Sequence, residues 1–218
     1  MKKLIKILIM AIGVLVLYIA NALFISPAIS GIIIKDVISS PHINEILLYM
    51  SGLLPIAATF FGYAFIIKEI IDKDVKSALP YMIVYQLSSF FALVVTLICE
   101  YIRAGSLPAA DELFYNFVSI VLNFLLIAVM MYVIAYATHR IKKRGSSSAL
   151  EVTSFTAAIV EAIKQLIVEL SYIIPFLFEY SFDISAGEVL SMLISILWVI
   201  FVFGIGYVIT KYTQKLIK

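Results

Sequence analysis

One cysteine, two histidines and one tryptophan are all that this chain of 218 residues holds of those three types. With Cys99 alone there is no intramolecular disulfide and no multi-cysteine zinc or iron–sulfur site. His42 and His139 stand far apart, which excludes the H-E-x-x-H pattern of a zinc protease. No glycine-rich phosphate loop and no G-x-S-x-G turn occurs. Charge is also scarce. Only 14% of the residues are charged and 63% are hydrophobic, with a mean hydropathy of +1.10. Soluble domains run at about 25% charged and 45–50% apolar. A soluble fold of this length has no interior large enough for so much apolar surface, and a disordered chain needs the opposite composition.

What the sequence does contain is long apolar runs. A helix needs about 20 apolar residues to cross the hydrocarbon core of a bilayer. Six stretches qualify: Leu4–Ala28, Ile46–Ile67, Leu79–Cys99, Leu113–Thr138, Ala149–Phe178 and Val189–Thr210. The expected fold is therefore all-α, a single integral membrane bundle of six transmembrane helices spanning residues 1–218. Ser40-Pro41 and Leu107-Pro108 place a proline where a helix can start without losing a hydrogen bond. Ser148-x-x-Glu151 reads as a capping box that opens the fifth span. Ala20-Asn21-Ala22 mimics a signal-peptide cleavage site, but the apolar run continues beyond it, so the segment is read as a retained span.

Basic residues set the orientation. Lys2, Lys3 and Lys6, then Lys68, Lys73 and Lys76, then Arg140, Lys142, Lys143 and Arg144, and finally Lys211, Lys215 and Lys218 all fall on one side. The opposite connections hold only Lys35 and Arg103, together with most of the acids, Glu45, Glu100, Asp111, Glu112, Glu179, Asp183 and Glu188 among them. Both termini are thus expected in the cytoplasm and the chain in the plasma membrane. The segment RIKKRGSSS reads as a basic anchor and linker at anionic lipid, not as a nucleic-acid patch. KEIIDKDVKSAL, between spans 2 and 3, reads as a solvated connector in preference to a docking helix for a cytoplasmic motor.

The fifth span differs from the rest. Glu161, Lys164, Gln165 and Glu169 sit near its middle and, at about 100° per residue, fall within roughly 140° of arc. Each mid-span charge costs about 2.5–3.5 kcal/mol, while each Leu, Ile, Val or Phe returns only about 0.3–0.6. The stripe therefore cannot face lipid and must face protein or water. Glu161 and Lys164 are spaced to pair; Glu169 has no obvious local partner. Other helices offer polar faces to meet it: Tyr81, Tyr85, Ser88, Ala92, Thr96 and Cys99 in the third span, Asn116, Ser119 and Asn123 in the fourth, Ser191, Ser195 and Trp198 in the sixth. Gly52, Pro55, Thr59 and Gly62 give the second span an edge suited to close packing.

Intramembrane charges mark pathways more often than ornament. The expectation is a transport protein, whether carrier, channel or membrane subunit of a larger pump. Its path for a small solute or ion is lined by Glu161, Lys164, Gln165, Glu169, Asn116, Asn123, Tyr85 and Ser88. The rival is a non-catalytic accessory or assembly subunit that docks another membrane or peripheral subunit through the same stripe. An enzyme is disfavoured, because no second catalytic group stands in a recognisable pattern. No cofactor is expected, and the bilayer is the one certain partner.

Overall fold

A computed structural model describes residues 2–34, 40–105, 110–143, 148–179 and 185–217. All the described elements are helices: α1 (Lys2–Ala20), a π-helical turn (Asn21–Ile25), α2 (Ser26–Ile34), α3 (Pro41–Ser51), α4 (Leu53–Asp72), α5 (Val75–Ala104), α6 (Ala110–Lys143), α7 (Ala149–Glu179) and α8 (Ala186–Leu216). Five stretches are long and apolar enough to cross a membrane: Lys3–Ile33, Pro41–Asp72, Val75–Arg103, Leu113–Lys143 and Ala186–Leu216. They coincide with five of the six expected spans. The sixth, at 149–178, coincides with α7. No 18-residue stretch of α7 carries fewer than three charged residues, which sets it apart from the others.

The helices run beyond the apolar segments at nearly every end. Lys, Arg and Glu are good helix formers, so a charge ends the apolar run without ending the helix. The connector between spans 2 and 3 shows this most plainly. α4 continues through Lys68 and Asp72, a turn at Lys73–Asp74 follows, and α5 starts at once. There is no separate charged helix there. Asp74 is the N-cap of α5 and accepts the Ser77 backbone N–H at 2.6 Å. Lys142, at the end of α6, donates to the Ile70 and Lys73 carbonyls and so closes the C-terminus of α4.

Span 2 is interrupted once. Pro55 has no N–H to give to residue 51, and its ring crowds that carbonyl, so the chain breaks between α3 and α4 at Gly52. Pro41 stands at the start of α3 behind Ser40, as its sequence signal implied. α7 begins at Ala149, and its Glu151 reaches Lys211 of α8 at 2.9 Å. A complete capping box opens α8, where Ser185 and Glu188 exchange hydrogen bonds. Leu107-Pro108 lies outside the described residues.

α4 is the centre of the bundle, in contact with α1, α5, α6, α7 and α8. Its small residues explain why. A Cβ added at Gly62 would overlap the Tyr85 ring of α5, and reciprocal sockets hold Phe61 over Gly13 of α1 and Phe60 over Gly206 of α8. Around these sockets Phe60, Tyr63, Ile66, Ile67 and Ile70 are buried with Met10, Val14, Tyr81, Tyr85, Ile134 and Val202. Opposite ends of the bundle differ in charge. One gathers Lys68–Asp72 and Lys73–Glu69 pairs, Lys142 and Lys211; the other gathers Glu45, Glu169 and Glu188.

Candidate functional site

The face that α7 turns inward is made of small residues and one carboxylate. Thr153, Ser154, Ala157, Ala158 and Glu161 are all buried. Thr153 and Ser154 return their hydroxyls to the Ala149 and Leu150 carbonyls at 2.6 and 2.7 Å, so their polarity is spent within the helix. Glu161 has no such outlet. It is 1% exposed, and its Oε1 pairs with Lys164 and accepts from Gln165 Nε2 at 3.3 Å. The expected pair thus forms, one turn along α7.

Three tyrosines lie near enough to this carboxylate to feel its charge: Tyr18 of α1, Tyr63 of α4 and Tyr85 of α5. The Tyr63 and Tyr85 rings meet with centroids 5.7 Å apart. Tyr18 and Tyr85 both lie beside Thr59, and Tyr85 also lies beside Ser89. Yet Tyr85 Oη and Ser89 Oγ, like Glu161 Oε2, make no hydrogen bond of ordinary geometry with any described group.

Glu169 lies two turns further along α7, about 12 Å from Glu161 at 1.5 Å per residue, and opens on a different environment. A cavity of about 770 Å³ is lined by Glu45 and Tyr49 of α3, Glu169 of α7, and Glu188, Ser191 and Ser195 of α8. Tyr49 donates to Glu169 Oε2 at 2.8 Å and stands 2.6 Å from Ser195 Oγ. That supplies the partner the sequence did not reveal. Among the described residues none of the three carboxylates has a salt bridge. A second cavity, of about 410 Å³ and almost wholly apolar, shares Tyr49, whose ring stacks on Trp198 at 5.2 Å. Such an acidic mouth with apolar walls raises the local concentration of cations and repels anions. Among the described residues no three His, Cys, Asp or Glu side chains gather closely enough to hold a metal ion.

The expected site residues divide by place. Glu161, Lys164, Gln165 and Tyr85 come together; Ser88, 6% exposed, lies on the buried side of α5 one turn from Tyr85. Glu169 belongs to the acidic cavity. Asn116 and Asn123 join neither: Asn116 donates to Tyr101 Oη at 2.5 Å, and Asn123 sits on the exposed side of α6 and donates to the Ser119 carbonyl at 3.0 Å. The sequence reading passed over Tyr18, Tyr49, Tyr63 and Ser89. Tyrosine at mid-span, away from the headgroup belts it favours, was the available signal for Tyr18 and Tyr63.

Fold and site together define an all-helical, candidate multi-pass membrane chain with a buried carboxylate behind an acidic cavity. Comparison with protein-family models, with curated proteins and with solved structures finds no match.

Proposed function

We propose that this chain is a small polytopic membrane transport protein whose α7 carries a polar path for a small solute or ion. In this reading α7 is a sixth crossing, both termini face the cytoplasm, and the membrane is the plasma membrane. The observation that carries it is the placement of two carboxylates in series on one helix. Glu169 opens on a cavity with two further acids, and Glu161 lies two turns deeper among tyrosines. A cation drawn to the mouth meets a second carboxylate inside, and the bundle buries Glu161, whose charge lipid would not tolerate. The basic end of the bundle is the cytoplasmic one by the distribution of Lys and Arg.

Charge displacement measured on proteoliposomes tests the reading. Concentration jumps of sodium, potassium, ammonium and alkylammonium salts are applied to wild type and to Glu169→Gln. The wild type should give a saturable current for at least one of them, and Glu169→Gln should abolish it with insertion intact. An unchanged current in the variant removes Glu169 from the path.

One observation favours the accessory-subunit reading. Asn123 and Ser119 lie in a shallow cavity of about 380 Å³ on the outward side of α6, among Tyr115, Leu122 and Leu126. An amide on a surface otherwise facing lipid suits interhelical hydrogen bonding with a second membrane protein. Native mass spectrometry after mild extraction would then reveal a stoichiometric partner, lost in Asn123→Leu.

A further inference from the structure

Two cavities meet at one tyrosine, and their chemistry is opposite. The first is the acidic cavity of about 770 Å³, with Glu45, Glu169 and Glu188 on three different helices. Its described lining holds no lysine, arginine or histidine, so no cationic side chain there offsets the carboxylates. The second, of about 410 Å³, is walled by exposed apolar side chains, Ile46, Met50, Leu197 and Phe201 among them. At about 100° per residue, Glu45, Leu48 and Tyr49 share one side of α3, and Ile46, Tyr49 and Met50 the adjacent side. Tyr49 is the edge common to both. Its hydroxyl meets Glu169 and Ser195 of the first cavity, and its ring stacks on Trp198 of the second. Trp198 in turn stacks on Phe201 at 5.7 Å, so the three rings form one continuous aromatic shelf.

We infer that the two cavities together bind a small amphiphilic organic cation, its charged head beside Glu169 and its apolar body along Tyr49, Trp198 and Phe201. The inference rests on the pathway reading above and names the class of solute. Size is the first argument. Among the described residues the acids do not gather closely enough to hold a metal ion, yet they line a cavity of about 770 Å³. A compact inorganic ion would leave most of that space unfilled, whereas an organic head with spread charge fills it. Charge is the second. The acidic walls repel an anion and gain nothing from a neutral amphiphile. Adjacency is the third. Aromatic faces attract organic cations as well as apolar groups, so the shelf suits the solute on both counts. Both volumes fall in the range that encloses a small molecule. The apolar cavity, near the lower end of that range, suits one ring or a short chain. The occupant is therefore a soluble cation and not a two-chain lipid.

The test uses the full chain in phosphatidylcholine nanodiscs. Trp198 is the single tryptophan, so its fluorescence reports on the shelf directly. N-benzylpyridinium, whose pyridinium ring quenches indole emission, is titrated against benzyltrimethylammonium, tetramethylammonium and the neutral isostere neopentylbenzene as competitors. The wild type should show saturable quenching that benzyltrimethylammonium reverses. Tetramethylammonium, the head alone, and neopentylbenzene, the body without charge, should each compete at least about tenfold more weakly. Glu169→Gln should weaken both benzyl cations at least about tenfold. Phe201→Ala alters an exposed side chain. It should weaken benzyltrimethylammonium about fivefold and leave tetramethylammonium unchanged, a split that misfolding would not produce. Quenching that does not saturate overturns the site, as does binding that neopentylbenzene matches or that Glu169→Gln leaves unchanged. Loss of binding when phosphatidylethanolamine replaces phosphatidylcholine would give the site to a lipid head group and overturn the soluble occupant. Binding without current in proteoliposomes would sink the pathway and keep the site. A sodium or potassium current that benzyltrimethylammonium does not inhibit, with no saturable binding, would do the reverse.

Discussion

At the scale of single residues, the same substitution has opposite effects at two glycines. Gly62 faces the Tyr85 ring, and an added Cβ would overlap it; Gly204 in α8 has nothing within 4 Å of the same position. Overpacking of a filled core costs about 1–3 kcal/mol, while replacing an unconstrained helical glycine by alanine stabilises by about 0.5–1 kcal/mol. Gly62→Ala is therefore expected to lower the unfolding temperature in detergent, and Gly204→Ala to leave it level or raise it. Equal effects at the two positions would contradict the socket. Glu161 shows the same contrast between spacing and surroundings. Its pairing with Lys164 follows from i, i+3 spacing on a helix. Its nearness to Tyr18, Tyr63 and Tyr85 does not, because those residues are far apart along the chain and come near it only when α1, α4 and α5 pack.

At the scale of elements, the helix starts carry testable chemistry. The Ser77 backbone N–H holds the Asp74 carboxyl below the ordinary carboxylate range, helped by the neighbouring Lys142 and Lys76. A depressed carboxyl contributes stability that is present above its unfolded value, near pH 4, and is lost as pH falls through its folded value. The unfolding temperature should accordingly fall slightly on acidification, and Asp74→Asn should remove part of that fall; an identical acid response in the variant would place the dependence elsewhere. At α8, Ser185→Ala removes one half of a capping box and should cost about 1 kcal/mol, read as faster amide exchange in the first turn at 186–189. The S-x-x-E pattern occurs at both Ser148 and Ser185. At the first, Glu151 reaches across to Lys211 of α8; at the second, Glu188 turns back on its own helix. Sequence alone does not separate the two, since both use the same four-residue pattern.

At the scale of the whole molecule, the question is whether α7 crosses the membrane with its neighbours. A crossing α7 puts residues 148 and 185 on opposite faces of the bilayer. In a Cys99→Ala background, Ser148→Cys and Ser185→Cys should then react with an impermeant maleimide from opposite sides of sealed vesicles. Labelling from the same side would leave five crossings and make α7 a helix held within the bundle or along the interface. The basic and acidic ends of the bundle agree with a crossing, since α7 and α8 run antiparallel, with Glu151 against Lys211 at one end and Glu169 near Ser195, through Tyr49, at the other.

The sequence by itself determined the helical class, five of the long apolar helices and the existence of a polar stripe on α7. Those features depend on composition and on a period of about 3.6 residues, both local properties of the chain. It also determined the Glu161–Lys164 pair, which spans one helical turn. Only the tertiary structure decided what surrounds that stripe. Glu169 is met by Tyr49 from α3 and Glu161 lies near tyrosines from three other helices, while Asn116, equally polar in sequence, is taken up by Tyr101 of α5 and Asn123 lies exposed on α6. The physical reason is that helix rotation and neighbour choice are set by packing. Gly13, Gly62 and Gly206 each admit a ring from a distant helix, and those contacts fix which faces meet. Periodicity along a single helix carries no record of them.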